Sequence, residues 1–260
     1  MPQTGVPDRA ARRTESDVSS ALIEYNRVSK SYPTPLGRRS TPVFTDVSLH
    51  LDEREIVGVC GPSGCGKSTL LRMFFGLVSW QTGQIRYRGQ DVVGLSRTAR
   101  RRIHREVQVV FQDPRNAFNP RWLLRQSLLE PFRLFRLGDP PQAQEVIAEQ
   151  LGLLGLEEGL LDRYPHQLSG GQLQRLALAR CLVVSPRCLF LDEASSMLDV
   201  SVQAQMMALV RRLREEQGIS VLLISHDLDL VEAMSQRIYR FEDGRLSPGA
   251  GRPATGQAEE

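Results

Sequence analysis

Residues Gly61-Pro62-Ser63-Gly64-Cys65-Gly66-Lys67-Ser68-Thr69 fit the phosphate-loop pattern G-x-x-x-x-G-K-[ST] at every fixed position. Such a loop works only between a buried strand and the start of a helix. Both flanks are in the sequence. The apolar run Glu55 to Cys60 reads as a strand, and Leu70, Leu71, Met73 and Phe74 lie on a helix that ends before Gly76. The glycines let consecutive backbone N–H groups turn inward around phosphate oxygens, and the helix start adds partial positive charge. Lys67 is one of two lysines in a chain that otherwise uses arginine. A compact ammonium on a slim stem suits this position where a planar guanidinium does not. Lys67 is expected to reach the β- and γ-phosphates, and the Ser68 hydroxyl to ligate Mg²⁺.

Further apolar strands are expected at Val107 to Phe111, Cys188 to Leu191 and Ser220 to Ile224. A final hairpin is expected around Ile238 to Phe241, turning at Asp243-Gly244. Between Pro120 and Val184 the pattern is helical, with Pro165 and Pro186 as breakers. Strands separated by helices predict an α/β fold, with a mainly parallel sheet and an inserted helical subdomain at about 115–185. The segment 1–20 is polar and expected to be disordered. The glycine- and proline-rich stretch from Leu246 reads the same way, giving one domain over 21–247 and a tail over 248–260.

Composition excludes several classes. The net charge of +3 is too small to point to nucleic acid. Cys60, Cys65, Cys181 and Cys188 form no C-x-x-C pair, which argues against a zinc or iron–sulfur site and fits a reducing cytosol. No apolar run reaches the ~20 residues that cross a bilayer, and Met1 to Ser20 lacks the apolar core of a secretory signal.

Two more segments carry chemistry. Cys188-Leu189-Phe190-Leu191-Asp192-Glu193 is an apolar strand that ends in paired carboxylates. Asp192 is expected to hold Mg²⁺, and Glu193 to polarise an attacking water as general base. Leu168-Ser169-Gly170-Gly171-Gln172 precedes a helix expected over Leu173 to Val184. It reads either as a capped helix after a flexible turn or as a second anion site. Two anion sites in one domain make sense if each serves a different nucleotide, as in a head-to-tail dimer.

Leu168 to Gln172 resembles the signature of ATP-binding-cassette (ABC) ATPases, and other family hallmarks follow in the family's order. Gln112, in Phe111-Gln112-Asp113-Pro114, resembles the glutamine that senses Mg²⁺ and the permease. Ser196-Met197-Leu198-Asp199 resembles the D-loop that communicates across the dimer, with its Ser196, Leu198 and Asp199. His226 resembles the switch histidine that contacts the γ-phosphate. Tyr32 is placed like the aromatic that stacks on adenine, with Tyr25 as a second candidate. The resemblance spans about Leu22 to Leu246. It implies a P-loop NTPase (RecA-like) core with an antiparallel β subdomain. Two departures stand out: Cys65 at a variable loop position, and Met197 where the family often has alanine.

Asn119-Pro120-Arg121, Arg163-Tyr164-Pro165-His166-Gln167 and Leu198 to Gln205 resemble importers of the oligopeptide, dipeptide and nickel type. The resemblance implies a peripheral ATPase at the cytoplasmic face of a bacterial inner membrane, working with ATP and Mg²⁺. Its expected partners are a second ATPase (identical or a paralogue), two integral membrane permeases and an extracytoplasmic substrate-binding protein. The alternative is a non-transport ABC-type ATPase serving a soluble enzyme complex. The arginine-rich stretch Arg97 to Arg105 reads as a solvated helix face. Arg121 to Arg136 is interrupted at Pro131 and could be read as a membrane-surface helix. The family instead places a permease-docking groove there, with Trp122 and Phe132 expected in it.

Overall fold

The computed structural model describes residues 21–33, 40–194 and 200–249. The chain opens with two long strands, β1 (Ile23–Pro33) and β2 (Ser40–Leu51), paired antiparallel. It then passes through β3 (Ile56–Cys60), the phosphate loop and α1 (Lys67–Phe74). Next, β4 (Thr82–Tyr87) and β5 (Gln90–Asp91) complete an antiparallel sheet of order β2-β1-β4-β5. The arginine-rich α2 (Arg97–Glu106) presents mainly exposed guanidinium groups and buries only Ile103, as expected of a solvated face.

β6 (Val107–Val110) leads into a short 3₁₀ turn, Pro114–Ala117, and a helical layer. That layer contains α3 (Leu124–Phe135), α4 (Pro140–Leu153) and α5 (Gly170–Leu182). β7 (Cys188–Asp192), α6 (Val200–Gln217), β8 (Ser220–Ser225), α7 (Leu228–Met234), β9 (Arg237–Glu242) and β10 (Arg245–Gly249) follow. Among the described residues the central sheet has the order β10-β9-β3-β8-β7-β6. All its pairings are parallel except β9 with β10. The α/β core, the antiparallel β layer and the inserted helices are thus all present.

Every residue of β3, β7 and β8 is buried. Parallel strands covered on both faces require continuous apolar runs, and the sequence supplies them. Side-chain alternation splits the core in two. Val57, Val59, Phe190, Leu222 and Ile224 face α1 and the antiparallel sheet. Leu189, Leu191, Val221 and Leu223 face the helical layer. One parallel register holds the site: Cys60 lies opposite Ser225, Asp192 opposite Ile224, and Val110 opposite Leu191. The carboxyl ends of β3, β6, β7 and β8 therefore finish level along one edge.

Four local expectations change. Pro131 does not interrupt its segment, because α3 runs straight through it from Leu124 to Phe135. Phe132 is a core residue at 5% exposure, whereas Trp122 stays exposed beside Gln126, Glu130, Arg133 and Leu134 in an open groove. The final strand continues to Gly249, so ordered chain extends past the boundary expected at 247. As an edge strand, β10 tolerates Pro248 without losing an interior ladder bond. The helix after the Leu168 to Gln172 segment starts at Gly170 rather than Leu173, with Ser169 as its cap.

Candidate functional site

The phosphate loop is folded back on its lysine. Lys67 is 4% exposed, and its Nζ donates to the carbonyl oxygens of Gly61 (2.7 Å) and Pro62 (2.9 Å). Gly66 caps α1 from the left-handed region at φ 111°. A Cβ there would stand 2.7 Å from Val43 Cγ1 and 2.9 Å from Phe44 Cδ1, so only glycine fits. The next residue, Ser68, donates its hydroxyl to Asp192 Oδ1 at 2.9 Å, tying the start of α1 to the end of β7. Burial is the main influence on the Asp192 carboxyl and pushes it above the usual carboxylate range. The Ser68 hydrogen bond opposes that push, and the Glu193 charge adds to it.

Glu193 is where the loops meet. Its φ of 48° is left-handed, a strained backbone for a non-glycine residue that turns the side chain off the end of β7. Its N–H donates to Ile224 O at 2.9 Å, which holds the turn against β8. One carboxylate oxygen lies 3.6 Å from Lys67 Nζ. The other accepts from Gln112 Nε2 at 3.1 Å and sits 3.5 Å from His226 Nδ1. The segments that follow β3, β6 and β8 therefore each deliver one group to the carboxylate that stands at the end of β7. His226 is held by its neighbours, since Asp227 N–H donates to Ser225 Oγ and Asp227 caps α7 through Leu230 N–H, each at 3.0 Å.

The remaining sequence candidates fall in three places. Ser169 opens α5 through a capping box: its Oγ accepts from Gln172 N–H at 3.3 Å, and Gln172 Oε1 accepts from Ser169 N–H at 3.1 Å. Ser169 and Gly170 are exposed, and among the described residues no hydrogen bond or ion pair joins Leu168 to Gln172 to the phosphate loop. Tyr25 is buried and donates its hydroxyl to Leu70 O at 2.9 Å, so it has no ring face to offer a ligand. Tyr32 is 40% exposed on β1, with the Lys30 ammonium 4.5 Å from its ring centre. Ser196, Leu198 and Asp199 lie outside the described residues. Arg72, whose charge partly offsets the buried Asp192, had no signal in the sequence beyond its place on α1.

The family profile described as ABC transporter matches residues 44–196, more than half of the chain. The chain belongs to the ABC transporter family. Among its curated relatives is the nickel import ATP-binding protein NikE of Escherichia coli. It is 44% identical over 205 residues, covering 78% of this chain and 76% of the relative. A probable peptide ABC transporter ATP-binding protein, y4tS of Sinorhizobium fredii, is 39% identical over 234 residues, or 88% of this chain. This chain spans 66% of that relative's length. Among solved structures, the dimeric cassette MJ0796 in a post-hydrolysis state with ADP and Pi matches with TM-score 0.79. The match has 28% identity and covers 89% of this chain and 99% of that one. The cassette cbiO1 from Clostridium perfringens, part of the transporter complex cbiONQ, matches with TM-score 0.75 and 26% identity, over 88% of this chain and 87% of that one.

Proposed function

We propose that this chain is the ATP-binding and ATP-hydrolysing subunit of an ABC importer that takes up a peptide, nickel or metal-chelate-type substrate through partner permeases. The observation that carries the reading is the convergence of Lys67, Gln112 and His226 on the Glu193 carboxylate, beside a phosphate loop. In this reading the backbone of Gly61 to Thr69 cradles the triphosphate, and Lys67 leaves its carbonyl partners for the β- and γ-phosphate oxygens. Tyr32 stacks on adenine. Glu193 accepts hydrogen bonds where a water must be aimed at the γ-phosphorus, and takes that water's proton as it attacks. His226 holds the transferring phosphoryl group.

Mg²⁺ fits the donors present. Ser68 Oγ and Asp192 Oδ1 are hard oxygens 2.9 Å apart, and burial leaves the Asp192 charge poorly compensated. Ser68, Asp192 and Gln112 would hold the ion, which when bound neutralises charge on the phosphate oxygens. Leu168 to Gln172 would serve the γ-phosphate bound by a second ATPase subunit, identical or paralogous. The groove at Trp122, Gln126, Glu130, Arg133 and Leu134 would take the cytoplasmic segment of a permease at the inner membrane.

Affinity recovery of the tagged chain from detergent-solubilised membranes tests the transport assignment. The expected eluate contains two integral membrane permeases, and any second ATPase in it marks a mixed dimer. Soluble partners alone would overturn the importer reading in favour of an accessory ATPase in a soluble enzyme complex.

A further inference from the structure

Pro131 inside α3 has no N–H, so the carbonyl of Ser127, four residues earlier, loses its helical donor. A side chain from another helix replaces it. Arg180 of α5 donates its Nε–H to Ser127 O at 3.1 Å. The same guanidinium donates Nη1–H to Ala117 O at 3.0 Å and Nη2–H to Glu130 Oε2 at 2.7 Å. Three acceptors on two separate segments are thus held by one rigid planar fork, which lysine's single nitrogen cannot reproduce. Each segment leads to a part of the proposed machinery. α5 begins at the cap Ser169, about three turns from Arg180. Ala117 ends the turn that follows Gln112, and Glu130 lines the groove beside Trp122.

We infer that Arg180 is a positioning residue that couples the groove on α3 to both nucleotide-facing segments, the Gln112 turn and the Ser169 helix start. The inference rests on the docking and nucleotide-site readings above. When nucleotide moves Gln112 or the start of α5, α3 moves with them, because one guanidinium bonds all three acceptors. Glu130 makes the link sensitive to whatever occupies the groove, because it is both an Arg180 partner and a groove wall.

The test uses the groove's own tryptophan. The chain has two tryptophans, and Trp80 → Phe leaves Trp122 as the sole indole. In that parent, a non-hydrolysable ATP analogue with Mg²⁺ is expected to change Trp122 emission. Arg180→Gln and Arg180→Lys should bind the analogue within about threefold of the parent while the emission change shrinks about fivefold or more. Adding Pro131→Ala to Arg180→Gln supplies a backbone N–H for Ser127 O. The melting temperature should then recover while the emission response stays lost, which separates coupling from simple support of the fold. An unchanged response in Arg180→Gln, or its return together with the melting temperature in the double variant, would overturn the coupling role alone. A parent that binds no analogue would instead overturn the nucleotide-site reading beneath it.

Discussion

Asp192→Asn should make the protein more stable and at the same time inactive. Asp192 is 7% exposed and accepts a hydrogen bond from Ser68 Oγ at 2.9 Å. Among the described residues it has no ion pair within 4.0 Å, because the nearby ammonium of Lys67 is directed at Gly61 O, Pro62 O and Glu193. Burial and the neighbouring Glu193 charge both disfavour the ionised form, and one neutral hydroxyl offsets only part of that cost. Asparagine has the same shape and keeps an oxygen for Ser68, yet removes the charge. Relief of such a functional charge is worth about 1 kcal/mol, which is a rise of about 2–4 °C in Tm for a chain of this size. The melt is run in chelator, so that bound metal does not stabilise the aspartate form. Turnover with Mg²⁺ should fall about 10²–10³-fold, since a positioned electrostatic element has gone. A lower Tm in chelator would refute the buried-charge reasoning. Turnover within about threefold of the parent would refute the metal-ligand role.

Gly66→Ala should cost about 1–3 kcal/mol, because strain at φ 111° combines with contacts of 2.7 and 2.9 Å to Val43 and Phe44. Gly64→Ala, at φ 81° with nothing within 4 Å, should cost less in the same thermal melts. Tyr32→Ala should weaken ATP binding about tenfold by loss of stacking. By contrast, Tyr25→Phe should leave ATP affinity unchanged and cost about 1 kcal/mol of stability, through loss of the buried hydroxyl bond to Leu70 O. Equal effects of Tyr32→Ala and Tyr25→Phe in a binding titration would sink that assignment. His104 packs edge-on against Phe75 at 5.6 Å; burial first, and then the Arg100 charge, hold it below its ordinary value. The unfolded chain therefore binds a proton at about pH 6.5 that the native state takes up only at lower pH, so stability falls as pH drops through that window. His104→Gln should flatten this slope in pH-dependent melts.

The parts of this fold legible in the sequence are those where one local pattern decides the structure. The unbroken apolar runs of β3, β7 and β8, the glycine loop and the Asp243-Gly244 turn needed no tertiary information. What stayed hidden depended on partners remote in sequence. Pro131 reads as a break until Arg180, 49 positions later, is seen to supply the missing donor. Gly170 and Gly171 read as loop because glycine disfavours helix, yet the reciprocal Ser169 and Gln172 cap starts α5 there. Trp122 and Phe132 are both aromatic, and only packing against the helical core tells the groove wall from the buried ring. Pro248 and Gly249 look like tail until β9 offers them an edge to pair with. At the candidate site, the sequence singled out Lys67, Gln112, Glu193 and His226 but not their meeting at one carboxylate. That convergence depends on the level register of four strand ends.

Glu193 carries the proposed chemistry. Phosphate release from MgATP should be measured for the purified chain and for Glu193→Gln, with ATP binding measured in parallel on both. The prediction is steady turnover by the parent. The variant should bind ATP with similar affinity, accumulate as an ATP-bound dimer, and turn over at least about a hundredfold more slowly. Normal turnover by Glu193→Gln, or stoichiometric ATP binding by the parent with no phosphate release, would contradict it.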